Sequence, residues 1–150
     1  MSEVLTESIK YIEQSKVGLL ITVGEKTVPY VRPIGAFANE GSDIYFVTAK
    51  ATDKVKQINL NPTVTLYFQN EGQPFDTFKS VAVSGDASEV SLGAEFDKAV
   101  EAISVRYPII KQKISSGEFK SSAIYKVKAK LVKLADYTKN PREVIENIEQ

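Results

Sequence analysis

The chain of 150 residues contains no cysteine, no histidine and no tryptophan. Without cysteine there is no disulfide, no thiolate nucleophile and no cysteine-bound zinc. Without histidine there is no Ser-His-Asp triad, no imidazole metal ligand and no histidine acid–base step. Haem held through either residue is excluded with them. An excess of one charge is missing too: 19 Lys and Arg balance 19 Asp and Glu. The basic surplus of a nonspecific polyanion binder is therefore absent, and no nucleic-acid partner is expected. No apolar run reaches the ~18 residues that a membrane helix needs, so no membrane span is expected. Met1-Ser2-Glu3 opens into an amphipathic stretch, without the basic and then apolar order of a signal peptide. With zero cysteine this gives a cytoplasmic protein as the expectation. Neither a G-x-G-x-x-G motif nor a P-loop occurs. Chemistry is left to carboxylates, Lys, Arg, Tyr, Ser, Thr, backbone groups or an organic cofactor.

With 43% hydrophobic and 25% charged residues, a chain of this length can bury a core unaided, and one domain over 1–150 is expected. Leu5, Ile9 and Ile12 share one face of a helix over Ser2 to Ser15. The period then changes. Val17 to Val23 reads as a strand, Gly24-Glu25-Lys26 as a turn, and Thr27 to Phe37 as a second strand. Pro29 and Pro33 inside that run place it at an edge, or bulge or interrupt it. A third strand, Ile44 to Thr48, follows the turn Asn39 to Asp43. Ala51 to Asn61 reads as a helix with Thr52 as N-cap, stopped by Asn61-Pro62. Thr63 to Gln69 is a strand, and Phe78 to Val90 a long one bent at Gly85. Leu92, Phe96, Val100, Ile103 and Tyr107 define a helix capped by Ser91 and ended at Pro108. A short helix over Ile109 to Ser116 precedes Gly117. Ser121 to Tyr137 is the last strand. Asn140-Pro141-Arg142-Glu143 reads as a helix start, with Val144, Ile145 and Ile148 on its apolar face. About six strands with short joins give a mostly β fold with flanking helices: a small antiparallel barrel.

One region concentrates chemistry. Arg32 lies within the second strand, Thr48 closes the third, and Lys50, Thr52 and Lys54 surround the start of the next helix. Free backbone N–H groups, the positive dipole end and basic side chains make such a helix start an anion site. If the strands of Arg32 and Thr48 are neighbours, the guanidinium reaches the same anion. Elsewhere the readings are plainer. Lys126, Lys128 and Lys130 form a solvated strand face that also discourages edge pairing. Glu40 with Asp43 and Glu95 with Asp97 read as surface charge.

In order and spacing, Val31-Arg32-Pro33-Ile34, Ile44 to Thr48, Thr52 to Ile58, Asn61 to Val64 and Val81 to Ala87 resemble the FMN-binding split-barrel proteins related to pyridoxamine 5′-phosphate oxidase. The resemblance spans roughly residues 4 to 90, with a looser match beyond. It implies a six-stranded antiparallel split barrel, a homodimer with FMN between subunits, and a phosphate held by Arg32, Thr52 and Lys54. Lys50 falls at the same helix start. Pro33, Ile34, Val47 and Thr48 are implied to lie against the flavin, with Tyr30, Tyr45 and Tyr67 as candidates to stack on flavin or substrate. Asp53 stands where the oxidase often has a basic residue. The oxidase's C-terminal Trp, Arg and His segment has no counterpart, which speaks against vitamin B6 oxidation. The resemblance implies an FMN-dependent oxidoreductase with an unidentified small-molecule substrate and NADH or NADPH as electron donor. The alternative is a non-catalytic barrel that binds flavin or another small ligand.

Overall fold

Two residues, Gly35 and Ala36, separate a strand at one edge of the sheet from a strand at the other. In the computed structural model, which describes residues 1–148, β1 (Gly18–Val23) pairs with β2 (Pro29–Ile34), while β3 (Phe37–Glu40) pairs with β4 (Asp43–Ala49). With β5 (Thr63–Phe68), β6 (Lys79–Glu89) and β7 (Ser122–Asp136) the order is β2-β1-β5-β6-β7-β4-β3, antiparallel throughout. Laid flat, the outer strands would lie roughly 29 Å apart, six spacings of about 4.8 Å. Ile34 to Phe37 spans at most about 11 Å. The sheet therefore curls into a half-barrel, and at the seam the Val47 N–H donates to the Ala36 carbonyl at 3.0 Å.

The expected second strand is thus two strands on opposite sides of the split. Pro29 and Pro33 do mark an edge. They are four residues apart, so both missing donors fall on the same side of β2, the side an edge strand leaves free. The class is the expected mostly β fold with flanking helices, with eight strands in place of six. β6 and β7 form the long central ladder. Its register shifts at Ser84/Gly85: Ser84 faces Leu131 and Gly85 faces Ala129, which leaves Lys130 as the extra residue of a bulge. Gly85 approaches so closely that a Cβ there would collide with the Lys128 carbonyl. Where β4 begins beside β7, the Asp43 carboxylate accepts from the Ala129 N–H at 2.8 Å.

The C-terminal expectation is corrected. Glu143–Asn147 is a strand, β8, that continues along the β7 edge beyond β4, with Leu134 opposite Val144. Three apolar residues within five positions suit either period, and the open β7 edge supplied the backbone partners. The helix expected from Ser91 is α3 (Ala94–Ile103). Leu92 lies before it and is 85% exposed, and Tyr107 lies past its end. α1 (Glu3–Gln14), α2 (Asp53–Leu60) and α4 (Ile110–Ser116) match their expected positions.

Alternation along β4 divides the interior in two. Ile44 and Phe46 face the barrel core with Leu20, Phe37, Leu66 and Phe68, which α1 covers through Ile12 and α2 through Ile58. Tyr45 and Val47 face a second core beneath α3 and α4, with Phe96, Ile103, Ile110 and Ile124. Because both faces are covered, β4 reads as a continuous apolar run. Arg106 ties the layers together. It donates to the carbonyls of Ile12 and Glu13 at 3.0 Å, and of Ser15 and Phe37 at 3.2 Å, with its guanidinium 4.0 Å from the Phe37 ring centroid. The end of α1 is thereby capped from the loop after α3.

Gly85→Ala is expected to lower the urea midpoint strongly, by the equivalent of about 3 kcal/mol or more, because the obstacle is backbone. Ser84→Ala, one position away, is expected to cost about 1 kcal/mol by losing its hydroxyl contact with Thr65. Equal midpoints for the two variants would refute the bulge as a fixed feature.

Candidate functional site

The curl brings the inward face of β2 against the end of β4 and the start of α2. Arg32, half-buried, donates through Nη1 to Thr22 Oγ1 at 2.6 Å and through Nη2 to Gln57 Oε1 at 2.7 Å. The buried Thr22 hydroxyl also donates to Gln57 Oε1. Thr22 sits on β1 and Gln57 on α2, so three elements fix one guanidinium. Two of its five N–H donors are used, which leaves three for a ligand. Opposite, Lys54 Nζ donates to Thr48 Oγ1 at 3.1 Å. Thr48 Oγ1 lies 3.4 Å from Thr52 Oγ1. Thr52 occupies the expected N-cap position, but its hydroxyl donates to the Ala49 carbonyl at 3.0 Å and makes no cap bond. The first-turn N–H groups of α2 are left without a side-chain acceptor.

The electrostatics are unusual for two adjacent cations. Burial lowers the Lys54 pKa, and the charge on Arg32 lowers it further. Burial lowers Arg32 as well, with Asp53 acting in the opposite direction. Neither makes an ion pair among the described residues, whereas Lys126, Lys130 and Lys133 all do. Two partly buried positive charges beside two hydroxyls and an uncapped helix start are donors of the kind that suit an anion.

The fold brings together Arg32, Thr48, Thr52 and Lys54. Lys50 does not join them. Its N–H donates to the Ser121 carbonyl at 2.8 Å, and it borders a cavity under α3 and α4. Ile34 is buried in the barrel core, Pro33 points to the exposed side of β2, and Val47 faces the second core. Tyr30 lies beside Gly24 and is 43% exposed. Tyr45 is buried and donates to Glu95 Oε2 at 3.1 Å, which also binds Lys126 at 3.0 Å; this is structure that fastens α3 to the sheet. Tyr67 donates to Gln69 on the outer face. Within the lysine stripe, Lys126 and Lys130 are ion-paired on the surface. No acidic cluster suited to a metal exists among the described residues. Thr22 and Gln57 had not been singled out from the sequence. Gln57 was within reach of such reasoning, since it follows Lys54 by three and shares its helix face. Thr22 was a lone hydroxyl in an apolar strand, with nothing local to mark it.

Residues 5–135 match the sequence profile of the pyridoxamine 5′-phosphate oxidase family. No curated protein shows significant similarity. Among solved structures, a heme binding protein from Mycobacterium smegmatis superposes with a TM-score of 0.80 at 12% identity, over 98% of this chain and 59% of that one. This chain thus spans about three-fifths of that protein's length. A conserved hypothetical protein from Mycobacterium tuberculosis gives 0.75 at 20% identity, over 94% and 88% of the two chains. A putative pyridoxamine 5′-phosphate oxidase from Listeria innocua gives 0.66 at 20%, over 88% and 98%. At these identities the structural likeness shows the fold alone.

The uncompensated charge has a measurable consequence. The Lys54 pKa is lower folded than unfolded, so the unfolded chain binds more protons between the two values. The contribution of Lys54 to stability is therefore expected to rise with pH through that window, against the opposite slope of Tyr45, Tyr125 and Lys126, whose pKa values folding raises. Lys54→Met is expected to remove this contribution, so that its stability advantage over wild type shrinks as pH rises, and to leave the ligand-free protein at least as stable as wild type. Inorganic phosphate at matched ionic strength should raise the wild-type Tm and not that of Lys54→Met. A variant that melts lower, with an unchanged response to phosphate, would show that Lys54 serves the fold.

Proposed function

Because the chain belongs to the pyridoxamine 5′-phosphate oxidase family, we propose that it binds FMN and acts as a flavin-dependent oxidoreductase on a small molecule. The observation that carries this reading is the approach of Arg32 and Lys54 at the start of α2, neither of them in a salt bridge among the described residues. The donor set fits a phosphate monoester. Arg32 offers a planar fork, Lys54 a point charge, and Thr48 and Thr52 neutral hydroxyls. Thr22 and Gln57 hold the guanidinium in place beforehand, so little of its rotamer freedom is lost on binding.

Bound flavin supplies electron transfer that no side chain of this sequence can provide. The chain's own task is to hold the phosphate and to offer the backbone of β2 and β4 as a wall for the ring, since the side chains of Pro33, Ile34 and Val47 face the outside, the barrel core and the second core respectively. NADH or NADPH would serve as reductant. Haem, which the M. smegmatis structure's name mentions, is the less suited ligand. The sequence has neither the histidine nor the cysteine that commonly ligates its iron.

The assembly we propose is a homodimer. On the outer face of the sheet, the registered rows Val31–Ile21–Thr65–Ser84 and Pro33–Leu19–Tyr67–Ala82 contain no charged side chain. Val31 is 59% exposed. In a chain with one charged residue in four, such a face suits isologous pairing with a second copy.

Titration with FMN should give saturable binding near one per chain, and NADH or NADPH should then bleach the flavin band near ~450 nm. Binding without reduction would favour the non-catalytic alternative, and no binding at tens of micromolar FMN would refute the cofactor. Lys54→Ala is expected to weaken FMN roughly 10–150-fold, a loss of about 1.5–3 kcal/mol. Riboflavin, which has no phosphate, should be almost unaffected. Lys56→Ala, at an exposed position of the same helix, should change neither. For the assembly, Val31→Glu should convert a dimer to a monomer in sedimentation velocity. A wild type that sediments as a monomer while binding FMN at full strength would refute a shared site.

A further inference from the structure

The cavity beside Lys50 lies outside the phosphate cluster. It has a volume of about 520 Å³ and sits between the β4–β7 ladder and the α3–α4 unit. Its floor is Val90 and Ile124, both buried. Phe96 and Phe119 form one wall, edge to face at 6.0 Å. Leu92 stands at the mouth with 85% of its surface exposed. The sequence builds this wall through Gly117, whose left-handed backbone (φ 86°) ends α4 and turns Phe119 and Lys120 back over the sheet. A volume of this size falls within the range of small-ligand pockets.

Charge gives the cavity its character. Ala49 is paired with Ser122, and the Lys50 N–H donates to the Ser121 carbonyl at 2.8 Å, so the ladder end sets Lys50 close to Lys120 at one rim. Among the described residues seven lysines pair with carboxylates, and these two do not. Glu89 also borders the cavity, which leaves two cations against one carboxylate. An apolar floor with an unspent positive rim fits a ligand whose body is apolar and whose one end is anionic.

We propose that this cavity is a second ligand site, one for a small amphipathic monoanion with its apolar body on Val90, Ile124 and the two phenylalanines and its anionic end between Lys50 and Lys120. The site stands independently of the FMN reading, because it shares neither Arg32 nor Lys54.

The test is titration of the full chain with sub-micellar decanoate, followed by amide chemical shifts. Saturable shifts are expected at Val90, Gly117, Phe119 and Ala123. Decanol, with the same body and no charge, should bind roughly tenfold more weakly. The double variant Lys50→Gln/Lys120→Gln should lose about tenfold in decanoate affinity and keep its decanol affinity, which also shows that it folds. Leu92→Asp, an exposed change that sets a negative charge at the mouth, should weaken decanoate as well. Shifts confined to the Leu19–Tyr67 face, to the Arg32–Lys54 cluster or to no residue would overturn the proposal. So would equal affinities for decanoate and decanol, or a double variant that binds decanoate like wild type.

Discussion

The two-residue link between β2 and β3 is the constraint on which the rest depends. It joins the outer strands of the sheet across a gap that a flat sheet would open to roughly 29 Å. Closing that gap forces the curl, and the curl encloses one core within the half-barrel. The same closure makes the candidate site. Arg32 and Thr48 belong to strands near opposite ends of the pairing order, and only the curl brings them to the same end of α2. The Gly85 bulge serves the same geometry from the middle of the sheet, where the long β6–β7 ladder bends and β7 passes from β4 to β8.

Against this frame the polar side chains divide into two kinds. Arg106 and the Tyr45–Glu95–Lys126 group are satisfied from several sides and fasten helices to the sheet. Arg32 and Lys54 are oriented but form no salt bridge among the described residues; burial disfavours both charges, Arg32 further disfavours that of Lys54, and Asp53 partly offsets the effect on Arg32. Partly buried cations that lack a salt bridge are the donors an anion would use. Sites of this kind exchange stability for ligand affinity.

Family membership and site chemistry answer different questions. The match over residues 5–135 fixes the lineage, and the fold is shared with proteins whose names mention different ligands. Ligand choice then rests on the donor set of this chain. Two cations and two hydroxyls at a helix start suit a phosphate, and the absence of histidine and cysteine leaves haem iron without its common partners. The uncharged outer face of β2, β1 and β5 gives the same molecule a surface on which a second copy could seat.

Much of this was legible along the chain. The period-two and helical patterns placed most elements, the two prolines marked an edge, and Arg32, Thr48, Thr52 and Lys54 were legible as a group that the fold then brings together. These features depend on residues close in sequence, or on properties such as a missing N–H that no context restores. What the sequence left open depended on which backbone edges lay free and which way a strand faced. Glu143–Asn147 became a strand because β7 offered an unpaired edge. Gln57 and Thr22 came beside Arg32 when α2 packed over β1, and the ladder beyond Ala49 placed Lys50 at the cavity under α3 and α4. Local pattern fixes the period of a segment. Only the closed sheet decides which face, edge and neighbour each residue meets.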